Sequence, residues 1–253
     1  MLAGCSRARE SHPPAAEPLG ALSAAAAAPT SNPGVAVVEL FTSEGCSSCP
    51  AADAAVARIA ASAERTSAPV FTVELHVDYW DYLGWRDPFD DPRFSARQAG
   101  YRALNPSTYT PQAVVNGTQE ALGSDESRLN QLVSRALATA TTTRLELAAD
   151  WSDGGLLVHC RGDGVAAAQT LNLFLLESRA ESNVLHGENS GERLQHRNVA
   201  RAFDVRPVSA GPFQATWQTR LPPGMSRSQT RVLAFTERRS QAGITGASLA
   251  VPK

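Results

Sequence analysis

Lysine is nearly absent from this 253-residue chain: Lys253 is the only one, and arginine supplies the rest of its 23 basic residues. Against 25 acidic residues the formal net charge is −2, so the composition carries no electrostatic footprint of a nucleic-acid partner. Long apolar runs are missing too. Nothing approaches the roughly 18–20 residues of a membrane span, and no spanning helix is predicted. Cysteine is scarce: Cys5, Cys46, Cys49 and Cys160 are too few for a fold built on disulfides. Only Cys46 and Cys49 form a local pair, the usage of a protein whose cysteines do chemistry.

What is present begins with MLAGC, in which Leu2-Ala3-Gly4-Cys5 is similar to a bacterial lipobox, the motif whose cysteine is lipidated. Such a signal needs basic and apolar segments upstream, and almost no chain precedes it. Either the start lies further upstream or the match is chance in an alanine-rich chain. Residues 6–34 are rich in Pro, Ala and Ser with little apolar periodicity, the pattern of a disordered tether. Lipidation at Cys5 with such a tether predicts a periplasmic or cell-envelope protein, held to the membrane only by a lipid anchor.

Order is expected from residue 35. VAVVELF (35–41) is a short valine-rich run, the pattern of a strand buried on both faces. TSEGCSSCP follows as a turn. AADAAVARIAASAE then reads as a helix with Val56, Ile59, Ala60 and Ala63 on one side and Pro50 in the first turn. VFTVELHVD (70–78) is a second buried strand, so strand, helix and strand form a right-handed parallel unit. Residues 79–107 are an insertion, aromatic and acidic at first and then helical. AVVNGTQEALG reads as a hairpin turning at Asn116-Gly117; the same residues match a glycosylation sequon, but the turn needs no further assumption. A helix over 124–138 closes this part, with Leu129, Leu132 and Val133 at helical spacing. From about 143 the pattern becomes one of short alternating strands split by Gly, Pro and Asp, which predicts a mainly antiparallel β-sandwich over 143–253.

A Cys-x-x-Cys at a strand-to-helix junction has a mechanical purpose. Residues i and i+3 share a helix face. The helix N-terminus can lower the first thiol's pKa from about 8.5 into the range of roughly 3.5–7.5. That makes Cys46 the attacking thiol and Cys49 the resolving one. Thr110-Pro111-Gln112-Ala113-Val114-Val115-Asn116-Gly117 resembles the thioredoxin segment in which a cis-proline starts a strand ending in Asn-Gly. The resemblance implies a cis Thr110–Pro111 bond, with Thr110 free to meet a substrate chain. VVELFTSEGCSSCP, HVDYWDYLGW, TPQAVVNG and HGENSGERLQHRNVAR together also resemble a narrower group of bacterial secreted proteins, the domain of unknown function 1223 family. The likeness covers 35–253 and implies a thioredoxin-like α/β domain (35–142) followed by a β-rich domain (143–253), with no established activity.

Departures from thioredoxins bear on tuning. Gly45 stands where tryptophan is usual, Ser47-Ser48 replace Gly-Pro, and Leu40 holds the place of the buried carboxylate, with Glu39 one residue off and facing the other way. Asp53 can replace that proton acceptor, although a first-turn acid favoured by the helix dipole is the simpler reading. The segment after the second strand brings His76, Asp78, Tyr79 and Trp80 toward Cys46: a substrate rim formed by Tyr79 and Trp80 with His76 assisting proton transfer, or a packed loop. Glu188, Asn189, Arg193, His196 and Asn198 either face the thiols or form a hydrogen-bonded loop. Cys160 reads as a core residue.

The preferred function is thiol–disulfide exchange with protein thiols or disulfides and a redox partner, requiring no cofactor. A static disulfide in a binding or scaffold protein is the alternative. A copper module built on Cys46, Cys49 and His76 is the third; soft thiolates suit Cu(I) or Zn, but no four-ligand set is completed, so no metal is expected.

Overall fold

β1 (Ala36–Thr42) is buried at every position because other elements cover both of its faces. Ala36, Val38 and Leu40 lie on one face, where they meet α1 (Cys49–Thr66) and α3 (Glu126–Leu137) through Ala52, Val56, Ile59, Leu129 and Leu132. Val37 and Phe41 lie on the other and pack with Val73, Leu75, Phe94 and Tyr101. This is the period-two alternation of a pleated strand with an apolar layer on each side. The structure, a computed structural model, describes Met1 and residues 32–241 and 243–253. Cys5 and most of the expected tether lie outside the described residues.

β2 (Val70–His76) runs parallel to β1, with Leu40 opposite Glu74 and Thr42 opposite His76. The insertion follows as a 3-10 helix over Asp78–Leu83 and then α2 (Pro92–Gly100), capped by Asp91 accepting from the Arg93 backbone N–H. β3 (Gln112–Val115) pairs antiparallel with β1 and turns into β4 (Gln119–Leu122). Asn116 and Gly117 both have positive φ, 48° and 67°, the primed turn that matches the twist of a hairpin. The Asn116 side chain closes the turn: its Oδ1 accepts from Val37 N at 2.7 Å and its Nδ2 donates to Val35 O at 2.8 Å.

Beyond residue 143 the strands alternate as the sequence predicts. β5 (Arg144–Ser152), β6 (Gly155–Asp163) and β11 (Phe213–Thr219) make a three-stranded antiparallel sheet. Its inner residues Leu156, Val158, Cys160 and Trp217 pack on Leu171, Leu173, Val232 and Ala234. These belong to β7 (Gln169–Glu177) and β12 (Thr230–Arg238). Cys160 is a free, buried core thiol, and desolvation pushes its pKa up to about 11. β8 (Ala180–Asn183) and β9 (Arg193–His196) form a separate hairpin.

The larger sheet runs straight across the position where a second domain is expected to start. Its eight strands lie in the order β13-β12-β7-β10-β2-β1-β3-β4, where β10 is Val199–Val208 and β13 is Ile244–Ala250. Apart from the β1–β2 and β10–β2 pairs it is antiparallel. β10 joins β2 at Val199 opposite Glu74, and Glu74 N donates to Asn198 O at 3.1 Å. The result is a mixed α/β architecture with one large, mainly antiparallel sheet. The expected sandwich is therefore a small sheet laid on one half of a shared one. The physical reason is β2: its free edge has to be paired or covered, and β10 pairs it.

A buried ionic cluster ties the halves on the face away from α1. Arg97 of α2 pairs with Glu39 of β1 and, at 3.0 Å, with Glu237 of β12. Tyr101 donates to Glu39 Oε1 at 2.6 Å, and Arg97 Nη1 donates to Asn172 Oδ1 at 3.3 Å. Glu39 thus faces the side opposite the α1 layer, as the strand alternation requires.

Candidate functional site

β1 and β2 end at the same edge of the sheet, the usual place for a site in parallel α/β architecture. The chain leaves β1 through Ser43–Ser48 as a tight turn. Cys46 N donates to Ser43 O at 3.2 Å, and Cys49 N donates to Cys46 O at 3.1 Å. The turn holds the Cys46 and Cys49 Cα atoms 5.4 Å apart and a disulfide joins them, well within the span a disulfide bridges. Cys49 is the first residue of α1 and Cys46 lies just ahead of its N-terminus, where unpaired N–H groups favour a thiolate.

The pair is covered: Cys46 is 1% exposed and Cys49 0%, while Ser47 and Ser48 between them are exposed. Trp80 packs beside the loop that carries the pair. A side chain on Gly45 would place its Cβ 3.1 Å from the Trp80 Cβ, so this tryptophan lies against the loop. Its indole Nε1 donates to Thr110 Oγ1 at 2.8 Å, and the Thr110–Pro111 bond is cis. Trp80 therefore links the cysteine loop to the Thr-Pro segment. Tyr82, 78% exposed, stacks on Trp80 with ring centroids 6.4 Å apart.

The connection between β8 and β9 also holds the loop. Asn189 Nδ2 donates to Glu44 O at 2.8 Å and to Cys46 O at 2.9 Å, and Glu188 Oε2 accepts from Ser47 N at 2.9 Å. Of the polar stretch 186–201, Glu188, Asn189 and His196 reach the cysteine loop or the layer behind it. Arg193 pairs with Glu181 on the surface, and Asn198 Nδ2 donates to Thr72 Oγ1 at 2.9 Å, further back along β2.

Behind the loop lies a buried ionisable layer. Glu44, next to Gly45, accepts from Trp85 Nε1 at 2.8 Å and from Ser182, and meets His196 Nε2 at 3.0 Å. His76 Nδ1 meets Asp87 Oδ2 at 2.7 Å, and the same oxygen accepts from Glu44 N at 2.8 Å. Asp53 is buried rather than a solvated first-turn acid; it accepts from Thr42 Oγ1 at 2.7 Å and stands 3.6 Å from His196 Nδ1. It is four residues after Cys49 on α1, hence one turn along the same helix face. Glu74 accepts from Arg197 N at 3.0 Å and stands 3.7 Å from His196 Nδ1.

Burial pushes the Asp53 and Glu74 carboxyls up, Glu74 well above the usual range with the Asp53 charge adding to the effect. Burial opposes a charge on His76 and His196. At His76 the charge and hydrogen bond of Asp87, with Asp53 and Glu44, together outweigh it, and at His196 Glu44, Glu74 and Asp53 together do, so both imidazoles are raised. Tyr79 is turned the other way, to Gln98 Oε1 at 3.1 Å, with its phenol pushed up to about 12 by burial. Asp78 accepts from Ser95 of α2.

Glu44, Glu74 and Asp87 are site residues that the sequence reading passes over. The available signal is Glu74-x-His76 in a strand that is otherwise apolar, because residues two apart share a face.

A family model described as "Protein of unknown function (DUF1223)" matches residues 37–237. A protein from Agrobacterium tumefaciens, solved by X-ray crystallography, is 26% identical with a TM-score of 0.61, covering 86% of this chain and 95% of that one. A domain of the outer membrane lipoprotein Omp28 from Porphyromonas gingivalis is 15% identical over 45% of this chain and 91% of that one. The TM-score of that pair is 0.28. Among curated proteins nothing matches.

Proposed function

The chain belongs to the DUF1223 family, whose description carries no activity, and from the chemistry of its own site we propose that it is a thiol–disulfide oxidoreductase of thioredoxin type. The observation that carries this reading is the Cys46–Cys49 disulfide at the start of α1. The order strand, Cys-x-x-Cys helix, parallel strand, Pro111, hairpin and helix supports it, as does Thr110 held beside the loop by Trp80.

In the reductive direction the Cys46 thiolate attacks a substrate disulfide. A Cys46–substrate bond forms, the substrate S–S bond breaks, and one substrate sulfur leaves as a thiolate that takes up a proton. Cys49, as thiolate, then attacks Cys46 Sγ; the Cys46–Cys49 bond forms and the second substrate thiol departs. Two electrons pass to the substrate, and a partner dithiol protein restores the reduced pair. With a substrate dithiol the same steps run backward. Trp80 and the exposed Tyr82 offer an aromatic rim for a protein chain. No cofactor takes part in these steps. The lipobox-like Leu2-Ala3-Gly4-Cys5 supports a place in the cell envelope.

The test is turnover. The protein reduced by dithiothreitol should reduce insulin or a synthetic disulfide, and Cys46→Ser should abolish that activity while Cys160→Ser leaves it intact. Turnover unchanged in Cys46→Ser would end the proposal.

One observation favours a second reading, a static disulfide in a binding protein: both cysteines are buried, in a loop held by Asn189 and packed against Trp80 at Gly45. On that reading the pair resists reduction in the folded protein and Cys46→Ser lowers only stability. A copper module on the two cysteines is less well supported. The sulfurs are bonded to each other, and the group of prospective ligands among the described residues contains no cysteine.

A further inference from the structure

Four buried side-chain atoms among the described residues have no hydrogen-bond partner: Glu74 Oε1, His76 Nε2, His196 Nδ1 and Arg197 Nε. Three of them belong to the layer behind the cysteine loop, one each on Glu74, His76 and His196. Stranding a buried polar atom is costly, and three stranded in one place need a common explanation. Each of these residues offers a ligand atom, and those atoms lie within 4.8 Å of one another.

The distances point the same way. His196 Nδ1 stands 3.7 Å from Glu74 Oε2 and 3.6 Å from Asp53 Oδ2, too far for a hydrogen bond. Ligands about 2.0–2.2 Å from a tetrahedral ion lie roughly 3.5 Å from each other. Each imidazole also has its remaining nitrogen held by a carboxylate: His76 Nδ1 by Asp87 at 2.7 Å, and His196 Nε2 by Glu44 at 3.0 Å. That is the outer arrangement of metal-bound histidines, in which a carboxylate fixes the tautomer and orients the ring. A groove of about 690 Å³ between α1 and the β8–β9 hairpin is lined by Asp53 and His196 and gives a path from solvent.

We infer that Glu74, His76 and His196, with Asp53 beside them, bind one divalent first-row transition-metal ion, with Zn²⁺ the best fit. Two imidazoles and one or two carboxylates suit this class of ion. Ca²⁺ and Mg²⁺, which prefer shells of six or more oxygens, do not match. The ion would sit beneath the cysteine loop and cross-link β2, α1 and β9. The inference does not depend on the redox reading, since no sulfur takes part.

The experiment uses the full chain. Protein purified without chelator should contain close to one equivalent of metal by elemental analysis. After chelator treatment, Co²⁺ should give saturable d–d absorption with a one-to-one end point, and Zn²⁺ should abolish it and raise the melting temperature. The double variant His76→Ala/His196→Ala should lose the bound ion. Glu44→Gln, which removes an outer partner, should weaken binding by about 10–100-fold. Cys46→Ser/Cys49→Ser, which can carry out no disulfide exchange, should keep its full equivalent of metal. Absence of Co²⁺ absorption and of any thermal shift with Zn²⁺, Co²⁺, Mn²⁺ or Fe²⁺ in wild-type protein would overturn the site without recourse to a variant that might not fold. Loss of the metal with the cysteines would overturn it as well, because thiolates would then be the ligands.

Discussion

At the scale of single residues the controlling feature is the cover over Cys46. Exchange requires a substrate sulfur to reach its Sγ, and the residue is 1% exposed. Asn189 holds the cover shut with hydrogen bonds to Glu44 O and Cys46 O. Each is worth about 1 kcal/mol, so Asn189→Ala should ease local opening and speed reduction of the pair by dithiothreitol by about 5–30-fold. Stopped-flow thiol release measures this; an unchanged rate would mean that another group limits access. Gly45 belongs to the same argument. A side chain there would press on Trp80, so the close approach of the tryptophan favours a small residue at this position. The spacing of the cysteines was legible, because their chemistry is local. Their burial was not, because Asn189 comes from far along the chain.

At the scale of elements, β1, α1, β2 and the Asn116-Gly117 hairpin are readable because each carries its own period or turn chemistry. The hairpin's amide also bridges Val35 and Val37. Asn116→Ala should therefore cost about 1–3 kcal/mol in urea unfolding, through two lost partners and a positive φ without its favoured residue. Helix α2 illustrates the opposite case. Arg97 looks like one more surface arginine in the sequence, yet it is buried between Glu39 and Glu237. Arg97→Met should destabilise the fold by about 3–5 kcal/mol, because two buried carboxylates lose their counter-charge. Adding Glu39→Gln and Glu237→Gln should recover part of that loss. The insertion also holds a pH-sensitive carboxyl: burial and a hydrogen bond with Asp81 push Asp90 up to about 7. The folded state thus favours protonated Asp90, and the stability it adds is present below pH about 4 and lost as the pH rises through about 7. A carboxyl-carbon NMR titration should show that midpoint, and Asp90→Asn should flatten this part of the pH–stability profile.

At the scale of the whole molecule, the change of pattern near residue 143 marks a change of layers, while the sheet itself continues from β2 into β10. Local periodicity reports which strands form but not which edge they join, so the eight-stranded order was not legible. The same long-range pairing assembles the buried layer, since His196 precedes β10 and meets Glu44, Asp53 and Glu74 only once β10 lies beside β2. A fragment ending at residue 142 leaves the β2 edge unpaired and strips Phe174, Leu176, Leu233 and Phe235 from the layer that holds Val73, Leu75 and Phe41. It should show no cooperative thermal transition, whereas residues 32–253 should melt in one. The central claim, that Cys46 and Cys49 cycle between dithiol and disulfide, is met most directly by the equilibrium reduction potential of the pair in redox buffers of known poise. A value between about −270 and −120 mV, the range of thioredoxin-type couples, is the predicted result. A value below about −300 mV, typical of structural disulfides, would contradict it.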